Sequence, residues 1–254
     1  MSTAIIIPAR MASTRLPGKP LLDIAGRPMV IRVWERLRRI RGVQAVIIAT
    51  PDAEIADAAR AFGADAVMTS ADHQSGTDRV AEAARRVRAD VIVNVQGDEP
   101  LVDPAHVAAA LKALRVRGAV MATLKGPLTT LDELNSHNVV KVVTDTRGRA
   151  LYFSRSPIPS TFTGRYVLLP TGADDPVGRH IGLYAFTKRF LAAFTALART
   201  PLERTESLEQ LRALEHGFHI QVGHVARASL NVDSPEDLAR VRALYRLRKA
   251  GGGS

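Results

Sequence analysis

Short apolar runs alternate with amphipathic stretches through the first hundred residues of the chain. Apolar residues at helical spacing separate these runs, with Pro28 in the first turn of one predicted helix and Asp52 as the cap of the next. Trp34 falls on the apolar face of the first helix and is predicted to lie in the core. Alternating strands and helices predict an α/β fold with right-handed crossovers and a mostly parallel sheet. The runs predicted to be strands are residues 4–7, 45–49, 66–68 and 90–95, of which the first two are predicted to be buried.

The pattern changes after Gly118. A long connection with Pro and Gly residues covers 156–178, and we expect one domain over residues 1–250 with a smaller subdomain or dimerisation arm within about 125–180. Residues 251–254 are a Gly-rich stretch expected to form a flexible tail. The later strand-like runs are residues 119–124, 139–144, 150–153 and 181–186.

Two helices are predicted near the end of the chain. Leucines at a spacing of three predict one over residues 205–216. Ser234 and Pro235 mark the start of the last helix, with acidic residues in its first turn. Asp233 therefore lies just outside a helix N-terminus.

Composition narrows the class of protein. The 254 residues are 46% hydrophobic and 24% charged, and no apolar run approaches the roughly 20 residues of a membrane span. The chain enters a strand within a few residues of Met1, so we expect no secretory signal. The absence of cysteine excludes disulfides and thiolate metal sites, and it favours a cytoplasmic protein.

The formal net charge of +10 raises nucleic-acid binding as an alternative. Many of the arginines fall on predicted helix faces, and no RNA-binding signature accompanies them. Aromatic residues make up only 5% of the chain, so stacking platforms for bases are scarce. We interpret the excess charge mainly as solvated surface that also attracts anionic substrates.

The most informative segment follows the first strand and is called here the basic loop, residues 9–20. It carries Arg10, Arg15 and Lys19 at a strand end, where open α/β sheets bind ligands. Gly18 allows the backbone to turn, two prolines stiffen it, and Ser13 supplies a hydroxyl donor. Clustered cations that are held in place suit a polyphosphate, although a solvated basic loop is the simpler alternative. The loop is not a Walker loop, because G-x-x-x-x-G-K-[ST] is absent.

A second polar turn closes the central strand that ends near residue 95. Asp98 lies in this turn, and the carboxyl ends of parallel strands meet at one edge of a sheet. We therefore expect the carboxylate and the basic loop to share a crevice. A carboxylate that faces a polyphosphate needs a mediator, and a hard divalent cation is the natural one. In the loop before the next predicted helix, Thr77 is expected to act as the cap.

Seven motifs occur in order along essentially the whole chain. They are PARMASTRLPGKP from Pro8, DHQSGTDR from Asp72, NVQGDEP from Asn94, YFSR from Tyr152, HIGLY from His180, SLEQLR from Ser207 and VDSPEDL from Val232. This ordered set resembles the 3-deoxy-manno-octulosonate cytidylyltransferases, also called CMP-KDO synthetases. The resemblance implies a GT-A-like nucleotidyltransferase fold, a homodimer, and a reaction that joins CTP to the sugar acid with release of pyrophosphate.

The resemblance also assigns a role to each matching position. The residues expected to bind CTP are Arg10, Ser13, Arg15, Lys19, Gln74, Ser75, Gly76, Arg79 and Asp98. The residues expected to contact the sugar acid are Gln96, Arg155, His180, Tyr184, Glu209 and Gln210. The residues expected to act in catalysis are Lys19, Asp98, Asp233, Arg10 and Arg15. Magnesium is expected on Asp98 and Asp233.

Two alternatives stay open at this point. The sugar acid could be an amino-substituted octulosonate or a nonulosonic acid such as sialic acid, because these cytidylyltransferases resemble one another around the nucleotide. From a different class, the chain could be a basic nucleic-acid-binding protein on a sugar-nucleotide fold.

Overall fold

The computed structural model describes residues 1–12, 16–160 and 175–251. The chain divides into two compact units, Met1–Pro104 with Ser229–Ser254, and Ala105–Ala228. The predicted layout, one domain with an arm within about 125–180, stays a prediction, and residues 161–174 of that arm lie outside the described residues. Of the expected tail, Gly251 still belongs to a helix, and residues 252–254 also lie outside the described residues.

The elements follow one another in an alternating order through the first part of the chain. They are β1 Thr3–Pro8, α1 Met29–Leu37, β2 Val43–Thr50, α2 Ala53–Ala61, β3 Asp65–Met68, α3 Gly76–Ala84, β4 Val91–Asn94 and α4 Pro104–Leu114. The later elements are β5 Met121–Gly126, α5 Leu131–Asn135, β6 Lys141–Thr144, β7 Ala150–Ser154, β8 Val177–Thr187, α6 Lys188–Ala196, α7 Pro201–Glu206, α8 Leu211–Glu215, β9 Ile220–His224 and α9 Pro235–Gly251.

The first unit contains a parallel sheet in the order β3-β2-β1-β4. Ile5 in β1 pairs with Val46 in β2 and with Val93 in β4, and every residue of β1 is buried. Strands buried on both faces are continuous apolar runs, which is why the sequence predicts them well. The α/β class is confirmed, and this unit has the expected parallel sheet. Trp34 is 8% exposed, so its predicted core position is also confirmed.

The C-terminal helix α9 belongs to the first unit and packs against its N-terminal part. Val232, Leu238 and Val241 are buried in one apolar cluster with Leu16 and Met29. The cluster brings the segment before α9 to the basic loop, although the two are distant in sequence. This packing positions the last part of the site described below.

The second unit has a mixed sheet. Strand β5 is antiparallel to β8 and parallel to β9, while β6 is antiparallel to both β7 and β8. The pairing of β5 with β8 shifts between Ala122 and Leu124, so Thr123 lies at an irregularity in the ladder. Among the residues that the structure describes, no helix is long and apolar enough to cross a membrane.

Three local predictions are corrected by the structure. The cap of α3 is Ser75 rather than Thr77, because the Ser75 hydroxyl accepts from the Asp78 amide at 3.1 Å and Asp78 reaches back to form a capping box. The predicted helix over 205–216 is two short helices, since Ser207 adopts φ 51 and ends α7. Pro28 precedes α1 as its cap instead of lying in the first turn.

Candidate functional site

The first unit has a cavity of about 720 Å³ at the carboxyl ends of β1 and β4, called here the strand-end cavity. Its wall includes the basic loop, the turn after β4, the start of α3 and the segment before α9. The lining residues are Pro8, Ala9, Arg10, Ala12, Lys19, Pro20, Ser75, Gly76, Arg79, Gln96, Gly97, Asp98 and Asp233.

Lys19 is at the centre of the polar contacts in this cavity. Its Nζ donates to Asp98 Oδ2 at 2.7 Å, to the Val232 carbonyl at 2.7 Å and to Asp233 Oδ1 at 3.2 Å. An ammonium group has three N–H donors, so these contacts use all of them. Gly18, with φ 67, turns the chain into the short 3-10 turn Lys19–Leu21 and so places this side chain.

A backbone hydrogen bond holds together the two segments that carry Asp98 and Asp233. The Val232 amide donates to the Asp98 carbonyl at 3.0 Å, which fixes the residue before Asp233 against the turn after β4. Asp237 in the first turn of α9 accepts from the amides of Asp233 and Ser234, each at 3.0 Å. The Asp233 side chain is thereby left to face Lys19.

The donor set of Asp98 and Asp233 fits a magnesium ion. Both carboxylates converge on one cationic group, the Lys19 ammonium, so the position between them favours positive charge. Magnesium is usually bound through one or two carboxylates together with waters and substrate phosphates. No group of three or more acidic, histidine or cysteine side chains with metal-binding geometry occurs in the described part of the chain.

Arginines supply the other charges of the strand-end cavity. Arg10 is exposed, whereas Arg79 is only 3% exposed and its Nη1 donates to Thr69 Oγ1 at 3.0 Å and to the Ser70 carbonyl at 3.3 Å. Burial lowers the pKa of Arg79, and the charge of Arg10 lowers it further. An arginine pKa starts so high that Arg79 stays cationic. The expected phosphate ligands Ser13 and Arg15 lie outside the described residues.

The start of α3 forms another part of the wall. The Ser75 hydroxyl is engaged in the capping box, and Gly76 lies where an added Cβ would be 3.5 Å from Pro8 Cγ. Backbone amides at a helix N-terminus favour negative charge or an acceptor atom. Gln74 is exposed, donates from Nε2 to the Asp72 carbonyl at 3.0 Å and does not line the cavity.

Gly97 is required by a close backbone approach. A Cβ at this position would be 2.9 Å from the Pro8 carbonyl oxygen, which is too near for any side chain. The glycine therefore lets the turn after β4 lie directly against the end of β1. Asp98 reaches the cavity because of this contact.

The second unit holds a different group of polar residues, built around the aromatic cluster of Phe153, His180 and Tyr184. The centroid of the His180 ring is 5.0 Å from that of the Phe153 ring and 5.6 Å from that of the Tyr184 ring. Burial lowers the pKa of His180 to about 3, so the imidazole is neutral at physiological pH. Burial also raises the pKa of Tyr184, and the charge of Glu209 adds to that shift.

Arg155 is held by three backbone carbonyls in the second unit. Its Nε and Nη1 donate at 2.9 Å to Glu206 and His137, and Nη2 reaches Ser207 at 3.5 Å. Glu206 accepts in return from the Arg155 amide at 2.9 Å, and the buried ammonium of Lys141 donates to the Arg155 carbonyl. A guanidinium has five N–H donors, so two are left for a ligand after these contacts.

The comparisons with known proteins decide the family. A family model described as cytidylyltransferase matches residues 4–221. The chain belongs to the cytidylyltransferase family. The 3-deoxy-manno-octulosonate cytidylyltransferase of Syntrophotalea carbinolica is 51% identical to this cytidylyltransferase chain over 97% of its length and 99% of that protein. The protein of the same name from Geobacter sulfurreducens is 49% identical over 95% of this chain and 98% of that protein.

Solved structures agree with this membership. A CMP:2-keto-3-deoxy-manno-octonic acid synthetase complexed with CTP matches with a TM-score of 0.87 and 42% identity, over 98% of this cytidylyltransferase and 100% of that chain. A cytidylyltransferase from Leptospira borgpetersenii matches with a TM-score of 0.60 at 21% identity, which shows a shared fold. The resemblance inferred from the motifs is confirmed.

The structure brings many of the expected site residues of this cytidylyltransferase into two groups. One group lines the strand-end cavity and consists of Arg10, Lys19, Ser75, Gly76, Arg79, Gln96, Asp98 and Asp233. In the other unit, the rings of His180 and Tyr184 are neighbours, and the charge of Glu209 raises the pKa of Tyr184. Gln210, the next residue along the chain, is the N-cap residue of α8.

Sequence reasoning missed several supporting residues. Asp52 is the N-cap residue of α2 as predicted, but its carboxylate makes no capping bond and instead accepts from the Met11 amide at 2.7 Å, a contact with the basic loop that the sequence did not indicate. Thr123, Lys141 and Glu206 have no motif that marks them, because their partners are backbone carbonyls and side chains on other elements. The capping box of Ser75 and Asp78 was detectable from the three-residue spacing of a hydroxyl and a carboxylate.

Proposed function

We propose that this cytidylyltransferase joins CTP to 3-deoxy-manno-octulosonate, giving CMP-KDO and pyrophosphate for lipopolysaccharide biosynthesis. The observation that carries the proposal is the strand-end cavity, which combines three cationic side chains with two carboxylates on one crevice wall. The choice of substrates is supported by the similar proteins named 3-deoxy-manno-octulosonate cytidylyltransferase and by the similar solved structure that is complexed with CTP. In this reaction the anomeric hydroxyl of the sugar acid attacks the α-phosphorus in line, and no protein nucleophile is needed.

On the nucleotide side, the cationic residues hold the triphosphate and offset the charge of the leaving pyrophosphate. Arg10 and Lys19 take this role, together with Ser13 and Arg15 of the basic loop. Because all three donors of Lys19 are engaged, binding of a phosphate requires that its ammonium exchange at least one carboxylate for phosphate oxygen.

The cytosine base is proposed to lie against the start of α3. Gly76 offers a backbone amide there and Arg79 offers a buried guanidinium, while Ser75 and Gln74 belong to the turn that leads into the helix. Recognition of the base needs donors and acceptors at fixed spacing, and the capping box holds this turn in place.

Magnesium is proposed on Asp98 and Asp233, which fit it as described above. When bound, the ion would neutralise phosphate charge and lower the pKa of the attacking sugar hydroxyl. The chain's own part is to orient both carboxylates, through the Val232 amide on one side and the Asp237 carboxylate on the other.

The sugar acid is proposed to bind to side chains of the second unit. An arginine there suits its carboxylate, and amide, phenol and imidazole groups suit its hydroxyls. Within the described residues, the Gln210 amide nitrogen is buried without a hydrogen-bond partner, which leaves it as a donor to a ligand. Arg155, His180, Tyr184 and Glu209 complete the proposed set, and Gln96 contributes from the strand-end cavity.

The test is pyrophosphate release from purified protein with every pairing of four nucleoside triphosphates and three sugar acids. The sugar acids are 3-deoxy-manno-octulosonate, an amino-substituted octulosonate and sialic acid. We expect release only with CTP and 3-deoxy-manno-octulosonate, loss of release with EDTA, and recovery with magnesium. Faster turnover of either other acid would replace the proposed substrate while leaving the nucleotide assignment intact.

The cytoplasmic location and the homodimer are part of the same proposal and rest on the composition and the family resemblance. Light scattering coupled to gel filtration measures the assembly directly. A mass of one chain at assay concentrations would remove the homodimer from the proposal. Salt-sensitive retention on DNA without any CTP turnover would instead favour the nucleic-acid alternative.

A further inference from the structure

Thr123 lies on β5 at the irregularity opposite β8 and is completely buried. Its hydroxyl oxygen is 2.9 Å from the Leu183 carbonyl oxygen, 3.1 Å from the Ile181 carbonyl oxygen and 2.9 Å from His180 Nε2. Three polar atoms of one strand thus surround a single hydroxyl.

The number of hydrogens available decides the direction of these contacts. A threonine hydroxyl carries one hydrogen and two lone pairs, and a carbonyl oxygen is an acceptor only. Oxygen atoms that approach within 2.9 and 3.1 Å in a buried place need a hydrogen between them, so the hydroxyl hydrogen is directed to the carbonyls. The contact with His180 must then use a lone pair of the hydroxyl, and Nε2 must supply the hydrogen.

We propose that Thr123 holds His180 in the tautomer with hydrogen on Nε2, so that Nδ1 presents a lone pair that accepts a hydrogen bond from a hydroxyl group of the sugar acid. Thr123 is on this view a positioning residue, which acts through the ring it orients. The second half of the statement rests on the proposed function, in which His180 faces the sugar acid.

Three further observations support the assignment. The ring is neutral because burial lowers its pKa to about 3, and a neutral imidazole has one donor and one acceptor nitrogen. Phe153 lies edge-on to the ring with an interplanar angle of 77°, and Tyr184 is tilted by 50°, so the ring plane is packed from two sides. Among the described residues, no side chain or backbone group forms a hydrogen bond with Nδ1.

The tautomer has a consequence for selectivity. A neutral nitrogen with a lone pair attracts a hydroxyl or ammonium hydrogen and repels the lone pairs of a carboxylate or carbonyl oxygen. His180 therefore reads a hydroxyl of the substrate, while the carboxylate of the sugar acid must be bound by cationic or donor groups elsewhere. One neutral hydrogen bond contributes roughly a tenfold change in affinity.

The tautomer is measured by nitrogen NMR on protein labelled with 15N in its histidine rings. The chain has seven histidines, and the His180 signals are those that disappear in His180→Gln. We expect a protonated Nε2 and an unprotonated Nδ1 at neutral pH in the wild-type protein, without sugar acid present. A protonated Nδ1 would overturn the inference and would leave the proposed cytidylyl transfer untouched.

Thr123→Val and Thr123→Ser separate positioning from packing. Valine keeps the shape but removes the acceptor, so we expect mixed tautomers and roughly a tenfold higher KM for the sugar acid, with an unchanged KM for CTP. Serine keeps the hydroxyl and should keep both the wild-type tautomer and the wild-type KM. The matched control is Thr195→Val, since the Thr195 hydroxyl reaches only carbonyls of its own helix α6.

Each result has a separate meaning. If Thr123→Val mixes the tautomers but leaves the KM for the sugar acid unchanged, the contact between Nδ1 and the substrate is overturned. If valine prevents folding, the comparison of serine with wild type and the wild-type spectrum still decide the tautomer. Absence of turnover with any sugar acid would overturn the proposed function. The NMR spectrum would still decide the tautomer of His180 independently of that result.

Discussion

The strand-end cavity and the aromatic cluster hold their polar groups by different means. In the cavity the groups are charged and partly open to water: the side chains of Asp98 and Asp233 are 27% and 41% exposed, and Lys19 joins them. In the aromatic cluster the central group is a neutral imidazole whose contacts are rings and one buried hydroxyl. Charge dominates the first region, and the direction of single hydrogen bonds dominates the second.

This difference predicts different responses to substitution. In the cavity, an isosteric change that removes charge should abolish turnover and leave the fold intact, since exposed charges contribute little to stability. In the second unit, a change that keeps charge but alters geometry should act on one substrate only.

Asp98→Asn and Asp233→Asn should each lower turnover by on the order of a hundredfold, because a neutral amide oxygen is a poor ligand for a hard cation. The double variant should be little worse than either single one, since both residues act through one metal ion. The measurement is magnesium-dependent pyrophosphate release, with thermal melts as a test of folding.

Asp65→Asn is the matched control, because Asp65 is exposed at the start of β3 and does not line the cavity. It should leave turnover unchanged. Near-normal activity of Asp233→Asn with an unchanged magnesium requirement would show that Asp233 has no role beyond the N-terminal end of α9. The proposal that two carboxylates bind magnesium would then be wrong.

Gly97→Ala should lower stability by about 1–3 kcal/mol and weaken CTP binding, because its Cβ would meet the Pro8 carbonyl and push the turn with Asp98 away from β1. The counterpart in the second unit is Gly182→Ala, where nothing lies within 4 Å of the added Cβ. Urea melts of both variants, with CTP titration of the first, give the comparison. Equal melting of the two variants would contradict the close approach.

Arg155→Lys should raise the KM for the sugar acid by roughly tenfold and leave the KM for CTP nearly unchanged, because lysine keeps the charge but loses the planar fork. Lysine also cannot hold the carbonyls of His137, Glu206 and Ser207 together, so a modest loss of thermal stability is expected. Steady-state kinetics with each substrate varied in turn measure the split. The exposed Arg189 provides the control Arg189→Lys, and an unchanged KM for the sugar acid in Arg155→Lys would refute the assignment.

The smallest effect concerns the pH dependence of stability. His180 is neutral in the folded state, with a pKa of about 3, while an unfolded histidine titrates near pH ~6.5. The unfolded chain therefore binds more protons between these values, so His180 stabilises the fold above the unfolded pKa, and this contribution is lost as pH falls through the window.

The free energy of unfolding of wild type should fall between about pH 7 and pH 5.5. In His180→Phe this fall should be smaller by about 1 kcal/mol, because the phenyl ring takes up no proton. Urea melts at several pH values measure this difference, and the exposed His219 gives the control His219→Gln, which should keep the wild-type slope. Parallel profiles for wild type and His180→Phe would mean that the ring is not buried in its neutral form.

Much of the fold follows from patterns that are local in sequence. The buried runs of β1, β2 and β4 are apolar on both faces, so they are recognisable without knowledge of their neighbours. The strand ends then locate Arg10 and Asp98, because parallel strands present their carboxyl ends at one edge. The break at Ser207 was missed because Leu208, in the connection between α7 and α8, and Leu211 of α8 are both buried, and their spacing imitates that of one continuous helix.

Patterns within the sequence were enough to predict the α/β class, the charged ends of strands, the family and the residues expected at the site. The hydrogen bond from Val232 to Asp98 that brings Asp233 to Lys19, and the position of Thr123 beside His180, became visible only in the folded chain. These contacts join backbone and side-chain atoms of elements that are far apart in the chain. No periodicity encodes such a contact, since it depends on how α9 packs within the first unit and on how β5 and β8 shift their register in the second.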